Sequence, residues 1–241
     1  MADSYVLLWL EAPLQSWGYE SRFNRRETLG FPTRSGVLGL ILCAMGAGGP
    51  QSEWLEKMSR YGQTVLAFGK KGPSRKFREN LQLVDFQMVG SAYDDSDPWQ
   101  KLLIPKKIDG TKPKNSGTKL TYRYYLQDAK FAVIVCVPEE LRKTIESALQ
   151  NPHWDLYLGR KCCVPTDLVY RGCFFSEEEA RREALNIADG KALECRFTVL
   201  EGQHPERGEV MTLSDVPVQF GTFKKYADRQ ITIIDACNDS S

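Results

Sequence analysis

Residues 5–45 read YVLLWLEAPLQSWGYESRFNRRETLGFPTRSGVLGLILCAM. The stretch opens on Tyr5–Leu10, an apolar run of the length of a buried strand. It closes on Ser35–Met45, apolar nearly all round, which predicts a buried helix. Thr33 or Ser35 is placed to cap its start, and Gly46, Gly48, Gly49 and Pro50 end it. Between the two lie Gln15-Ser16-Trp17-Gly18, then Arg25-Arg26, then Phe31-Pro32-Thr33-Arg34-Ser35-Gly36. One reading is a tight strand-to-helix connection with Trp17 as a lid on the core. The other is a binding wall. The first amides of the helix, with Gly36 allowing close approach, can hold a phosphate. Arg25, Arg26 and Arg34 supply charged forks for its oxygens, and Trp17 a ring to stack on a base.

Working outward, Ser52–Tyr61 places Trp54, Leu55, Met58 and Tyr61 on one helical face, and Thr64–Phe68 reads as a strand. Lys130–Val137 (KFAVIVCV) is a further buried strand. Pro138-Glu139-Glu140 then opens a helix through Leu149, with proline and acids in its first turn. Residues 80–126 read as two strand segments joined by a long basic excursion, interrupted by the acidic Asp94-Asp95-Ser96-Asp97. Residues 109–118 have turn composition. The first 150 residues thus approximate a ferredoxin-like βαββαβ unit. Residues 151–241 read as a smaller, mostly β region packed on it. That region has a charged helix at 176–186, strands in ECRFTVLEG, GEVMTLSDVPV and RQITIIDA, and a turn at Ser214-Asp215. The fold class expected is α+β.

With 42% hydrophobic residues over 241 positions the chain can bury a sizeable core. Lys plus Arg is 32 and Asp plus Glu is 31, a net charge of +1, which excludes a uniformly basic nucleic-acid coat but not a local basic site. No apolar run reaches membrane-spanning length and no signal segment is seen at the start, so a cytoplasmic protein with no membrane partner is expected. The seven Cys form no C-x-x-C pair and read as free thiols.

Catalytic and cofactor motifs are missing: no P-loop, no dinucleotide fingerprint, no H-E-x-x-H and no calcium loop, so no cofactor or metal is expected. His153 and His204 both sit in turn-like segments. What remains is a set of Arg, Lys, Tyr and Gly clusters. In LTYRYYLQDAKF (120–131), strand alternation puts Tyr122 and Tyr124 on one face and Arg123 and Tyr125 on the other. One face suits the core, the other stacks on and neutralises single-stranded RNA. In YLGRKCC (157–163), Tyr157 and Gly159 precede Arg160-Lys161, either a solvated turn or a second place where backbone approaches a ligand. Arg171-Gly172 is a weaker case of the same kind.

The blocks PLQSWG, FPTRSGVLGL, YRYYLQDAKF and YLGRKCCVP, in that order over roughly residues 4–235, resemble the CasD family. CasD is the type I-E branch of the fifth family of CRISPR-associated proteins. The resemblance implies a modified RNA-recognition-type, ferredoxin-like domain at 1–150 with a long β-hairpin thumb at about 80–125. It implies a non-catalytic subunit of Cascade that grips the repeat-derived 5′ handle of CRISPR RNA. Its expected partners are the Cascade backbone subunit and the large subunit that reads the PAM, with target DNA met at most indirectly. Under that reading the RNA contacts are Gln15, Ser16, Trp17, Gly18, Arg25, Arg26, Thr33, Arg34, Ser35, Gly36, Lys106, Lys107, Lys119, Tyr122, Arg123, Tyr125, Tyr157, Gly159, Arg160, Lys161 and Arg171. The alternative is a metal-independent endoribonuclease that processes precursor CRISPR RNA, as in type I-C relatives. Tyr124, Lys119 and His153 are its only nameable actors, and no spacing supports them.

Overall fold

β1 (Ser4–Glu11) is buried on both faces, which is why its sequence is a continuous apolar run rather than an alternation. Val6, Leu8 and Leu10 enter one core, and Leu7 and Trp9 enter a second core on the other side of the sheet. Each such fully buried side chain contributes about 1.5–3 kcal/mol of transfer free energy. The structure, a computed structural model, describes residues 3–19, 24–72, 82–89, 96–99, 106–111 and 119–235; the side chains of Val89 and Lys119 lie outside that description.

The chain is α+β. After β1 come β2 (Leu14–Gln15), β3 (Arg25–Arg26), α1 (Arg34–Ala44), α2 (Ser52–Ser59), β4 (Gln63–Lys70), β5 (Gln82–Val89), β6 (Lys119–Gln127) and β7 (Lys130–Val137). They are followed by α3 (Glu139–Gln150), β8 (Tyr170–Phe174), α4 (Glu177–Gly190), β9 (Leu193–Glu201), β10 (Glu209–Gln219) and β11 (Lys225–Asp235). Seven strands form an antiparallel sheet in the order β10-β11-β9-β4-β7-β1-β8. Strands from both sides of residue 150 therefore share one sheet. α1 lies against α3 and β10, over the face that carries the larger core. α4 covers the other face through Ala180, Ala184 and Ala188, four residues apart, whose small side chains let it close on Leu7, Trp9, Leu66 and Ile134.

A second sheet is built on β6. β5 runs antiparallel along one edge from Gln82↔Leu126 to Val89↔Lys119. The short β2 (antiparallel) and β3 (parallel) share the other edge. Asp128, with φ of 50°, turns β6 directly into β7, so the β5–β6 hairpin is continuous with the seven-stranded sheet. The expected pair of strand segments within 80–126 is present. Much of the basic excursion between them, with Lys101, Lys112 and Lys114, lies outside the described residues, as do Arg75, Lys76 and Arg78 before it.

Two expectations are corrected. β8 was not anticipated, because YRGCF is five residues long, half-buried throughout and broken by Gly172. Its hydrogen bonds to β1, not its composition, make it a strand. Ser214-Asp215 is not a turn. It lies inside β10 at a register shift between Leu213 and Val216, and the shift turns Asp215 into the interior. Among the described residues no helix is long and apolar enough to cross a membrane.

Candidate nucleic-acid interface

The connection after β1 folds back on itself before it reaches α1. The Gln15 side-chain amide donates to the carbonyls of Leu10 (3.0 Å) and Ala129 (2.7 Å). Its oxygen accepts from the Trp17 indole N–H at 3.0 Å. Trp17 N donates to Thr28 Oγ1 (2.8 Å), and Leu29 N donates to the Trp17 carbonyl (2.8 Å). The indole, 1% exposed, ends against Gly36, where a Cβ would stand 2.8 Å from the ring. Gln15, Ser16 and Trp17 are buried, and Trp17 is the core lid rather than a stacking surface. Ser16 and Trp17 still line a cleft at the start of α1, but little of either is exposed. Gly36 is glycine to fit beneath that lid.

The start of α1 is also occupied. Thr33 is the N-cap, accepting from Gly36 N at 3.2 Å, while its carbonyl accepts from Val37 N at 3.0 Å. Arg34 N donates to Asp215 Oδ2 at 2.7 Å. A protein carboxylate thus takes one of the first amides of the helix. The Arg34 guanidinium points inward as well. It donates to the carbonyls of Met58 (2.8 Å), Ser59 (3.3 Å) and Tyr61, closing the end of α2, and pairs with Glu201 at 3.3 Å. Burial lowers its pKa, partly opposed by Glu201. Arg229 next to it is raised, despite burial, by Asp215 at 2.6 and 2.9 Å and Glu201 at 2.8 Å. The difference follows from partners: Arg229 holds two carboxylates closely, Arg34 one at the limit of reach. Arg34 is therefore turned away from any RNA, whereas Thr33, its hydroxyl engaged by Gly36 N, still lines the cleft.

What stays open is a cleft of about 330 Å³. Ser16, Trp17, Gly18, Arg26 and Glu27 line it from the connection after β1, Thr33, Ser35 and Gly36 from the helix start, and Gly159 and Arg160 from the later block. The two sequence blocks are locked together. Ser16 N donates to the Leu158 carbonyl at 3.0 Å. Gly159, at φ of 102°, lies so close to Ser16 that a Cβ would fall 1.8 Å from its carbonyl oxygen. Arg160 donates to the carbonyls of Tyr124 (3.1 Å) and Arg26 (2.8 Å), with its guanidinium 4.5 Å over the Tyr125 ring. It brackets β3 to β6 while still lining the cleft.

The alternation expected in β6 is present, and burial decides which face is available. Tyr125 is 4% exposed and belongs to the core, so it is corrected from stacking residue to support. Tyr122 is on the open face, its ring 5.2 Å from Phe86, and its N–H donates to the Asn24 carbonyl. Tyr124 shares that face and accepts from the exposed Arg25 guanidinium at 2.6 Å, with Arg25 5.3 Å over its ring. Arg123, half-buried, pairs in register with Arg26 and Asp85. Tyr157 is half-buried and its carbonyl accepts from Gly159 N at 2.9 Å; Lys161 is exposed. Lys106 and Lys107 are exposed in a turn closed by Lys107 N to Thr111 O at 2.9 Å. Arg171 is not brought to the cleft. It sits on β8, at the opposite edge of the sheet from β10, held by Asp167 at 2.5 Å.

Four lining residues were not anticipated: Glu27 from the connection after β3, Phe220 and Lys224 from the turn between β10 and β11, and Tyr226 at the start of β11. For the hairpin the signal was present as the aromatic–basic run FKKY at 223–226. No neighbouring glycine-arginine block drew attention to it. The cleft carries Arg26, Arg160 and Lys224 against the single acid Glu27.

The sequence model described as CRISPR-associated protein (Cas_Cas5) matches residues 5–230. The chain belongs to the Cas5 family. The Cascade subunit CasD of Escherichia coli (strain K12) is 29% identical over 172 residues, 70% of each chain, in keeping with the resemblance read from the sequence blocks. A chain of a solved CRISPR RNA-guided surveillance complex is 28% identical, with a TM-score of 0.68 over 97% of this chain and 92% of its own. A crystal structure described as a Cas protein is 24% identical, with a TM-score of 0.59 over 98% and 96%. That last likeness is one of fold. The Cas5 match spans both the connection after β1 and the Gly159–Arg160 block.

Proposed function

We propose that this Cas5-family chain is a non-catalytic RNA-binding and assembly subunit of a type I-E-like Cascade complex, acting in the cytoplasm. It grips the repeat-derived 5′ handle of CRISPR RNA in the cleft between the β1–α1 connection and the Gly159–Arg160 block. The observation that carries this reading is the cleft itself. Two sequence blocks far apart in the chain are zipped together by Gly159 and Arg160, leaving Arg26 and Arg160 on an open surface beside exposed Arg25 and Lys161. A few cations with exposed aromatic rings suit a short, bent single strand. Near-neutral total charge suits a subunit whose remaining surface meets protein.

The order β4-β7-β1-β8, with α1 after β1 and α3 after β7, supports the ferredoxin-like, RNA-recognition-type reading of the first domain. The β5–β6 hairpin corresponds to the thumb, and its exposed Phe86, Met88 and Tyr122 suit docking on the Cascade backbone subunit. Contact with the large PAM-reading subunit belongs to the same proposal. The ribonuclease alternative has less support. Tyr124 is engaged by Arg25, and His153 packs on Trp154 and Gly46, with no described contact joining the two.

The test is to co-express the chain with its complex partners and measure the CRISPR RNA retained. Arg25→Ala with Arg26→Ala is expected to leave the chain folded, lower handle retention roughly tenfold and reduce the salt slope of binding by about 0.7 per cation lost. Unchanged retention would remove the cleft from the RNA path. Specific cleavage of repeat RNA by the purified chain, lost in Tyr124→Phe or His153→Ala, would decide for the ribonuclease.

A further inference from the structure

The turn between β10 and β11, with the first residues of β11, was not pointed to by the family blocks or by the sequence reading as part of a site, yet it lines the cleft through Phe220, Lys224 and Tyr226. We infer that residues 220–226 clamp one nucleotide of a single-stranded RNA: the Tyr226 ring stacks on an unpaired base and Lys224 meets its phosphate. The inference rests on the handle-binding reading of the cleft and extends it to a wall with its own chemistry.

The turn is built to hold still. Phe220 N donates to the Pro50 carbonyl at 2.9 Å. Gly221, at φ of 81°, lies against Gly49 and Pro50. Lower in the hairpin, the inward-turned Asp215 accepts twice from Arg229 and once from Arg34 N. One carboxylate therefore joins the hairpin to the first turn of α1, which also lines the cleft. A surface fixed in this way loses little freedom when a ligand arrives.

On that fixed frame the side chains are open. Tyr226 is 43% exposed, and Phe223, three positions earlier, is 76% exposed. Lys224 and Tyr226, two positions apart, both line the cleft that Arg26 and Arg160 also line. An aromatic face with cations around it is what one unstacked nucleotide requires, since every base has a π-face and every linkage a charge. A protein segment would be served by the aromatics but would leave three cations to be matched by one acid, Glu27, already in the cleft.

The experiment uses the assembled complex with 4-thiouridine placed through the 5′ handle, photo-crosslinked and mapped by mass spectrometry. Handle affinity is measured alongside for Tyr226→Ala, Tyr226→Phe and Lys224→Ala. Crosslinks within residues 220–226 are expected. Tyr226→Ala should weaken the handle about tenfold or more, and Tyr226→Phe should restore it, because stacking needs the ring and not the hydroxyl. Lys224→Ala should lower the salt slope by about 0.7. A handle retained and crosslinked only to other walls, with all three variants unchanged, overturns the inference and leaves the handle-binding reading standing. Crosslinks from the turn to a protein neighbour alone overturn it in favour of a docking element. A wild-type complex that holds no handle brings down both.

Discussion

At the scale of single residues, similar letters have opposite fates. Arg26 and Arg34 are both arginines in one polar connection, yet Arg26 is exposed and Arg34 is 4% exposed among carbonyls and Glu201. Trp17 is likewise spent on the core. The residue on which the cleft turns most sharply is Gly159. Its φ of 102° is strained for any side chain, and a Cβ would meet the Ser16 carbonyl oxygen at 1.8 Å. Gly159→Ala is expected to destabilise the fold by about 2 kcal/mol or more. The check is a urea unfolding curve, in which an unchanged midpoint would show that the two blocks are not so tightly closed. The glycine was visible in the sequence as a place where backbone approaches something. That the something is Ser16 rather than a phosphate depends on a partner 143 positions away, by the numbering (159 less 16).

At the scale of elements, periodicity identified α1, α2, α3, β1 and β7 to within a residue or two. Strand alternation also separated the two faces of β6. It did not say which face is buried, and the core took Tyr125. The β5–β6 hairpin shows what the alternation leaves outside. Val84, Phe86 and Met88 stand opposite Tyr124, Tyr122 and Leu120, so six side chains rich in apolar surface share one face. Phe86 is 52% exposed there. If this face docks on a neighbouring subunit, Phe86→Lys should leave the thermal midpoint of the isolated chain unchanged. Incorporation into the complex, read by co-purification, should fall roughly tenfold. Normal incorporation would place the docking surface elsewhere. Both strands of the β10–β11 hairpin were legible, but its place beside the cleft was not, because that comes from Asp215 and Pro50 holding the hairpin there and not from its own pattern.

At the scale of the whole molecule, one surface node ties distant parts together and sets a pH response. Lys191, after α4, pairs with Glu11 at the end of β1 (2.9 Å) and Asp167 before β8 (2.7 Å). Burial raises the Glu11 carboxyl, but the Trp9 indole N–H and Lys191 outweigh it and lower the pKa. Asp167 is also lowered on balance: Lys191, the Leu168 N–H and Arg171 outweigh its burial. Carboxyls depressed in the folded state contribute stability above their unfolded values, near pH 4, and lose it as pH falls through the folded ones. Lys191 is raised by hydrogen bonds to Asp167 and Glu11, so its share is complete below about pH 10 and is lost above the folded value. Denaturation midpoints should therefore fall between about pH 5 and pH 3, and Lys191→Met should flatten that fall. A variant with the same acid slope as wild type would remove Lys191 as the cause. By itself the sequence determined the helices, the long strands and their order, the family blocks and the near-neutral charge, because periodicity, caps and composition are local properties; β2, β3 and β8 escaped it. Only the tertiary structure decided which arginines face outward, that a carboxylate takes the first amide of α1, and that a late hairpin lines the cleft. Those outcomes depend on burial and on partners such as Asp215, 181 positions from Arg34, which no local pattern encodes.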